Sequence, residues 1–521
     1  MAESLYDVAT MWELVERRAA ATPGAPMLLD DADRRVTFGG FRDWAERVAA
    51  GFAGLGVREG TPVTWQLPSR IETVVVSMAL ARLGAVQNPI IPIYRAREVG
   101  FALRQTASGF YLCPGAWRGF DYQAMGDELA ADLEPAPQVL VTHDRLPEGD
   151  PATLAPLPVP GGDDGPVRWI YYTSGTTSEP KGVRHTDASL LAGGRGLAVA
   201  LDMASSDVGS IAFPFAHIAG PDYLVTVLAS GFPAVILEAF VPAEAVEVYR
   251  RHGVTMAGGS TAFYQAFLTE QRKTPEAPII PTLRLLSGGG EAKPPEIFHE
   301  VGREIGVKIA HGYGMTEVPM ISQGSPHDSD DQLVGSEGRP VVGAEVRIVA
   351  ADGSVAGAGV DGEVRVRGPM VCAGYTDPDL TAAAFDAEGF FMTGDIGHLR
   401  PDGHLTLTGR LKDVIIRKGE NISAKEIEDL LYPHPKVGDV AVIGLPDRER
   451  GERVCAVVEQ AAGQDPLTLD EMAAHLRAAG LMVQKVPEQL EVVAELPRNE
   501  TLHKVLKYRL RDTYGAQPWP R

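Results

Sequence analysis

Residues 173–182 read Thr-Ser-Gly-Thr-Thr-Ser-Glu-Pro-Lys-Gly and hold a dense set of groups able to grip an anion. Hydroxyls, exposed backbone N–H groups and an ammonium are what phosphate oxygens require. Thr173, Ser174, Gly175, Thr176, Thr177 and Lys181 are therefore candidate phosphate donors. The stretch is not a Walker-type loop, because the Gly-Lys-Ser/Thr ending is missing and Pro180 stands where the second glycine would be. A Ser/Thr/Gly run by itself is as often a ligand-free polar loop. The apolar strand before it and the Pro-Lys-Gly within it favour a ligand.

Four other stretches offer complementary chemistry. Residues 311–317 read His-Gly-Tyr-Gly-Met-Thr-Glu. The glycines there, Gly314 among them, admit a planar ligand, Tyr313 can stack on a base, and Thr316 can bond a phosphate. Glu317 supplies the hard oxygen that Mg²⁺ prefers. Residues 287–292 read Ser-Gly-Gly-Gly-Glu-Ala, with Gly289, Gly290, Glu291 and Ala292 following an apolar strand. A glycine run alone signals only a turn. Asp395, in GFFMTGD, can accept from a cis-diol, and Arg410, in TGRLKD, can donate to anionic oxygen. Either residue alone is most often a solvated surface charge.

The elements that must position these groups are legible as an alternation. Residues 41–55 and 72–83 carry helical patterns, and residues 62–67 and 85–89 carry strand patterns, which argues for parallel βαβ units. Residues 167–172 (VRWIYY) form a β-rich run, and a helix is expected around 188–199, with the phosphate-gripping loop between the two. The Pro/Gly-rich stretch 151–166 reads as a surface connector. From about 334 to 409 the texture shifts to short strands (VRIV, GEVRVRG, GHLTLTG) with turns at Asp352-Gly353 and Asp402-Gly403, an antiparallel or barrel-like subdomain. A hinge is placed near 410–413. Beyond it, helices are expected at 422–431 and 469–479 and a strand at 440–443. Met11, Leu14 and Val15 suit one face of an opening amphipathic helix.

Bulk properties narrow the function further. The 521 residues allow several domains and a large core. With 48 Lys+Arg against 69 Asp+Glu the net charge is −21, which disfavours nucleic acid and anionic membranes as partners. An anionic substrate must then be met by a local cluster of donors. Cys113, Cys372 and Cys455 are isolated in sequence, so neither a disulfide scaffold nor a thiolate zinc site is expected. No basic-then-apolar leader and no run long enough to span a bilayer is apparent, so a cytoplasmic location without membrane insertion is expected.

Taken in order, these motifs resemble the adenylate-forming superfamily of acyl-CoA synthetases, firefly luciferase and peptide-synthetase adenylation domains, over about residues 10–515. Within it, residues 66–125 look most like short- or medium-chain acyl-CoA and cyclohexanecarboxylate-type CoA ligases. Ser178 departs from the usual glycine of the phosphate loop, and His503-Lys504 from the usual Gly-Lys near the C-terminus. The resemblance implies an α/β fold: a large N-terminal domain, 1–411, of two doubly wound sheets with the β-rich subdomain, and a small mobile α+β domain, 412–521. It makes Lys504 the catalytic lysine, Asp395 the ribose acceptor, Arg410 a ribose or phosphate donor and Lys412 the hinge residue. It also makes Gly289, Gly290, Glu291 and Ala292 one wall of an adenine pocket, Gly419 part of a pantetheine tunnel and His217 a gate beside the acyl carboxylate.

The implied cofactors are ATP, Mg²⁺ and coenzyme A. The implied partner is a small carboxylic acid or similar small acid, and a homodimer is compatible with the resemblance. The resemblance implies that the acid is activated as its acyl-AMP with release of pyrophosphate, then passed to coenzyme A. Alternative acceptors are a carrier protein or an amine, and a further variant activates nitrite for diazotisation of an aryl amine. Phe215, Ser260, Phe263 and Met315 are the expected acyl-pocket residues, with no charged residue among them.

Overall fold

A computed structural model describes residues 5–157, 165–173, 180–290, 293–417, 420–447, 450–498 and 505–515. One sheet has six strands in the order Lys181–Thr186, Val167–Thr173, Val86–Pro89, Pro62–Trp65, Phe110–Cys113, Gln138–Val141. All neighbours are parallel except the Lys181–Thr186 edge, which runs antiparallel. Every residue of Phe110–Cys113 is buried, as a parallel strand covered on both faces requires. The Ile71–Leu83 helix is apolar almost all round and lies inside the core. It stops at Gly84, whose φ of +65° makes a left-handed cap.

A second, five-stranded sheet runs Met256–Gly259, Leu285–Gly289, Lys308–Met315, Val318–Gln323, Arg339–Pro340. Its first three strands are parallel and the rest antiparallel. It abuts a four-stranded sheet containing Gly209–Ile211, because Thr255 and Met256 N–H both donate to the Val208 carbonyl. One apolar cluster spans these sheets and takes in Met11, Leu14 and Val15 of the Met11–Ala21 helix.

The β-rich segment is a meander of Glu345–Val349, Gly362–Arg367, Phe391–Leu399 and Leu405–Arg410. The expected Asp-Gly turns are present, with Gly353 and Gly403 each at φ +84°. The strand order is linear, so the subdomain is an open sheet. Leu411–Asp413 then forms a single 3₁₀ turn. The remaining chain builds a five-stranded sheet around the Val437–Asp447 and Gly451–Gln460 hairpin, with its own apolar cluster.

Two expectations need correction. The phosphate-gripping segment joins two strands, since Lys181–Thr186 pairs back on Val167–Thr173 and the Asp187–Ala200 helix begins only after Thr186. Thr186 is the N-cap of that helix, its hydroxyl accepting from Ser189 N–H, so the helix cannot start earlier. The helix expected from 422 spans Ala424–Leu431 instead. Ser423 caps it, and Ile422 is held in the Glu420–Ser423 strand opposite Ile415.

Candidate active site

The hub is the hairpin Lys308–Met315 and Val318–Gln323. Met315 pairs with Val318, so Thr316 and Glu317 are the two residues of its turn. The glycines behind this tip are there for contact. A Cβ on Gly289 would lie 2.7 Å from the Gly312 carbonyl oxygen, and one on Gly314 would lie 2.2 Å from that of Pro319. Strands approach here more closely than side chains permit. Gly290, at φ +83°, turns the chain out of its strand.

From this tip Tyr313 and Glu317 reach out through their side chains and Thr316 through its backbone carbonyl. The Tyr313 hydroxyl donates to Asp395 Oδ2 at 2.6 Å. Asp395 and Arg410 are cross-strand partners, and Arg410 Nε lies 2.8 Å from Asp395 Oδ1. Asp395 is only 3% exposed, so its oxygens depend on these donors for hydrogen bonds. Burial and the Asp395 carboxylate hold the Tyr313 phenol well above its ordinary range, so it stays a donor. Lys412 lies just beyond, its ammonium lowered by burial and by Arg410.

Glu317 accepts from the Tyr375 hydroxyl at 2.8 Å. The Tyr375 ring in turn lies 5.5 Å from Lys181 Nζ, within cation–π range. Lys181 sits opposite Thr173 at the mouth of the loop. Thr316 is held through its carbonyl, which lies 2.7 Å from His185 Nε2. A carbonyl only accepts, so that nitrogen carries the proton, and Nδ1 faces Ser189 Oγ at 2.8 Å. Complete burial pushes His185 down to about 4, so it is neutral and its role is structural.

Thr316 and His217 line a common recess with Tyr94, Tyr171 and Ile218. None of the four expected acyl-pocket residues lines it. Phe215 stacks on Trp65 in the core, with ring centroids 6.4 Å apart, and Phe263 packs on Phe240 at 4.4 Å. Ser260 precedes the Thr261–Gln271 helix, and Met315 packs against the cluster of the β-rich segment. Ser174, Gly175, Thr176, Thr177, Glu291, Ala292, Gly419 and Lys504 lie outside the described residues.

Among the described residues, Lys181, Tyr313, Glu317, Asp395 and Arg410 thus lie together around one hairpin. Sequence reasoning missed Tyr375 and His185, which make the connections. Nothing in the spacing of Gly374-Tyr375-Thr376 from the other motifs flags them, and only a buried hydroxyl beside a carboxylate reveals Tyr375. Among the described residues, no group of three or more His, Cys, Asp or Glu side chains is placed to hold a metal ion. A single carboxylate at Glu317 fits Mg²⁺ all the same, since that cation commonly takes one or two carboxylates and completes its shell with nucleotide phosphates and water.

A mostly parallel sheet thus carries, beside one hairpin, an ammonium at Lys181, a carboxylate at Glu317 and a buried carboxylate at Asp395 paired with Arg410. The chain belongs to the AMP-binding enzyme family: residues 15–376 match its main pattern, and residues 426–502 match the AMP-binding enzyme C-terminal domain. It is an adenylate-forming ligase of the acyl-CoA synthetase type. It is 30% identical to a medium-chain fatty-acid–CoA ligase of Escherichia coli (strain K12), covering 98% of this chain and 91% of that one. It is 33% identical to a salicyl-AMP ligase / salicyl-S-ArCP synthetase of Mycobacterium tuberculosis, over 87% of this chain and 81% of that one. Its fold is similar to that of ATP-bound MatB from Rhodopseudomonas palustris, with a TM-score of 0.87, 27% identity, and coverage of 96% of this chain and 99% of that one. Among the described residues no helix is long and apolar enough to cross a membrane.

Proposed function

We propose that the protein activates a small, largely apolar carboxylic acid as its acyl-AMP, releasing pyrophosphate, and transfers the acyl group to coenzyme A. The observation that carries this reading is the convergence of Lys181, Glu317, Asp395 and Arg410 on the Tyr313–Glu317 tip. A carboxylate is a poor electrophile, and its attack on the α-phosphate demands that several anions be gathered in one place. Thr173 and Lys181, with the hydroxyls of 174–177, hold the β- and γ-phosphates. Tyr313 and the 287–290 wall frame the base, and Asp395 with Arg410 takes the ribose. Glu317 and the Thr316 hydroxyl would hold Mg²⁺, which supplies charge neutralisation at the α-phosphate when bound. His217 gates the acyl carboxylate from the recess it shares with Thr316.

In this reading residues 1–411 and 412–521 are two units joined at the Leu411–Asp413 turn. Rotation of the second brings Lys504 to the α-phosphate for the first step and removes it for the second, when Gly419 lines the pantetheine path. Replacing Lys504 with Ala should lower adenylation by at least about a hundredfold, the scale of one preorganised donor. Thioester formation from supplied acyl-AMP should be largely spared. Parallel loss of both steps, measured by pyrophosphate release and by thioester yield, would contradict the assignment.

The acceptor is tested by a pyrophosphate-release screen over acids of graded size, with and without coenzyme A. Turnover that coenzyme A accelerates, with thioester as product, is expected. A second acceptor, a carrier-protein thiol, is suggested by the salicyl-S-ArCP synthetase relative. Acyl-AMP accumulating with coenzyme A present, and discharged only by a phosphopantetheinyl carrier, would select that reading. No pyrophosphate release with any acid would refute both.

A further inference from the structure

We infer that Tyr375 is a positioning residue for nucleotide activation, a spacer that holds Lys181 and Glu317 apart and aims each at its target. This rests on the proposed roles of those two residues at the phosphates and at Mg²⁺. Tyr375 is 5% exposed, and a backbone strap fixes it on both sides. Cys372 N–H donates to the Glu317 carbonyl at 2.8 Å, and Ala373 N–H donates to the Arg184 carbonyl at 2.8 Å. Arg184 N–H returns a bond to Gly374 O at 2.9 Å, and Thr376 N–H bonds Gly182 O at 2.8 Å. Gly374, at φ +89°, makes the bend possible, and a Cβ there would meet Thr381 Cγ2 at 2.4 Å. The strap therefore ties the strand that carries Lys181 to the turn that carries Glu317, with the tyrosine touching both, its ring under the ammonium and its hydroxyl on the carboxylate.

An ammonium and a carboxylate that contact the same side chain would pair if it were absent, neutralising both before a nucleotide arrives. Among the described residues they make no ion pair with each other. The phenol hydroxyl occupies Glu317 Oε1 at 2.8 Å, which fixes the carboxylate plane and leaves Oε2 to serve a cation. The ring face holds Lys181 Nζ by cation–π attraction, which competes weakly with a phosphate. Both charges are thus oriented without being quenched.

The test uses the full chain with Mn²⁺ as a paramagnetic stand-in and ATP without acid. Mn²⁺ uptake is read by electron paramagnetic resonance, and AMP affinity by calorimetry. Tyr375→Phe, which keeps the ring, should weaken Mn²⁺ binding to the ATP complex about tenfold, the scale of one hydrogen bond to a charged group. AMP affinity should be unchanged, because Asp395 and Arg410 are untouched. Tyr375→Leu should also weaken ATP binding measured without metal, since Lys181 is then free to pair with Glu317. In a Glu317→Gln background, Tyr375→Phe should have no further effect on metal uptake. Unchanged Mn²⁺ uptake in Tyr375→Phe, beside a clear loss in Glu317→Gln, would overturn the positioning role alone. Unchanged uptake in both would overturn the underlying assignment of Glu317. Equal losses of Mn²⁺ and AMP binding in Tyr375→Phe would mark a merely structural tyrosine and also overturn the proposal.

Discussion

Asp395→Ala should lower kcat/KM for ATP about a thousandfold, with KM for ATP carrying most of the change and KM for the acid little of it. The carboxylate is nearly buried, and its donors are the Tyr313 hydroxyl at 2.6 Å and Arg410 Nε at 2.8 Å. Each carboxylate oxygen keeps a lone pair beyond those donors, so a cis-diol can add two charge-assisted bonds. Losing two such bonds costs about 4 kcal/mol, a factor of roughly a thousand. The deletion also strips the buried Tyr313 hydroxyl of its acceptor, which adds to the loss. Asp395→Asn separates the two contributions, since an amide has one accepting oxygen and an NH₂ that repels the Arg410 donor. It should fall between wild type and Ala. Calorimetric titration with ATP and with AMP should show the same ordering, because both nucleotides carry the ribose. Affinities within threefold of wild type in the Ala variant would refute the ribose assignment.

The parts of this site that were legible in the sequence are those whose residue types are unusual together. Thr173 and Lys181, the Tyr313–Glu317 tip, and Asp395 with Arg410 each stand in a polar or glycine-rich stretch that packing alone does not explain. Apolar periodicity likewise gave the Phe38–Leu55 and Ile71–Leu83 helices and the Val167–Thr173 strand to within a few residues. What escaped has a common physical cause. Tyr375 and His185 are ordinary buried residues whose importance lies in a partner remote in the chain, 58 residues away for Tyr375 and 131 for His185. The fate of the Lys181–Thr186 segment escaped similarly: its pairing with Val167–Thr173 is a tertiary choice that local pattern cannot announce. The stacking of Phe215 on Trp65 is another contact between distant stretches that local pattern does not announce.

Asp222 provides the sharpest stability prediction, and local sequence gives no hint of it. It lies on the Ala219–Ser230 helix, two residues beyond Gly220, and is 2% exposed. Its Oδ1 has no hydrogen-bond partner among the described residues, and neither has the buried Tyr171 hydroxyl. It faces the Asp187–Ala200 helix where Gly193 leaves room, since a Cβ there would fall 2.4 Å from Oδ1. Burial without compensation pushes its carboxyl up to about 8 from 3.8. The sign follows directly. The folded protein keeps this proton between pH 4 and 8 while the unfolded chain releases it, so the native state binds more protons and loses stability as pH rises. The loss amounts to about 1.4 kcal/mol per pH unit over that window, several kcal/mol in all, and it levels off above pH 8. Asp222→Asn, a neutral near-isostere, should therefore match wild type near pH 4 and grow progressively more stable than it toward pH 8. Urea midpoints at pH 5, 6.5 and 8 read this directly, with Asp222→Leu as a second variant that removes the polar atoms altogether. Parallel pH profiles for wild type and both variants would show that Asp222 is ionised, and therefore partnered, in the folded protein.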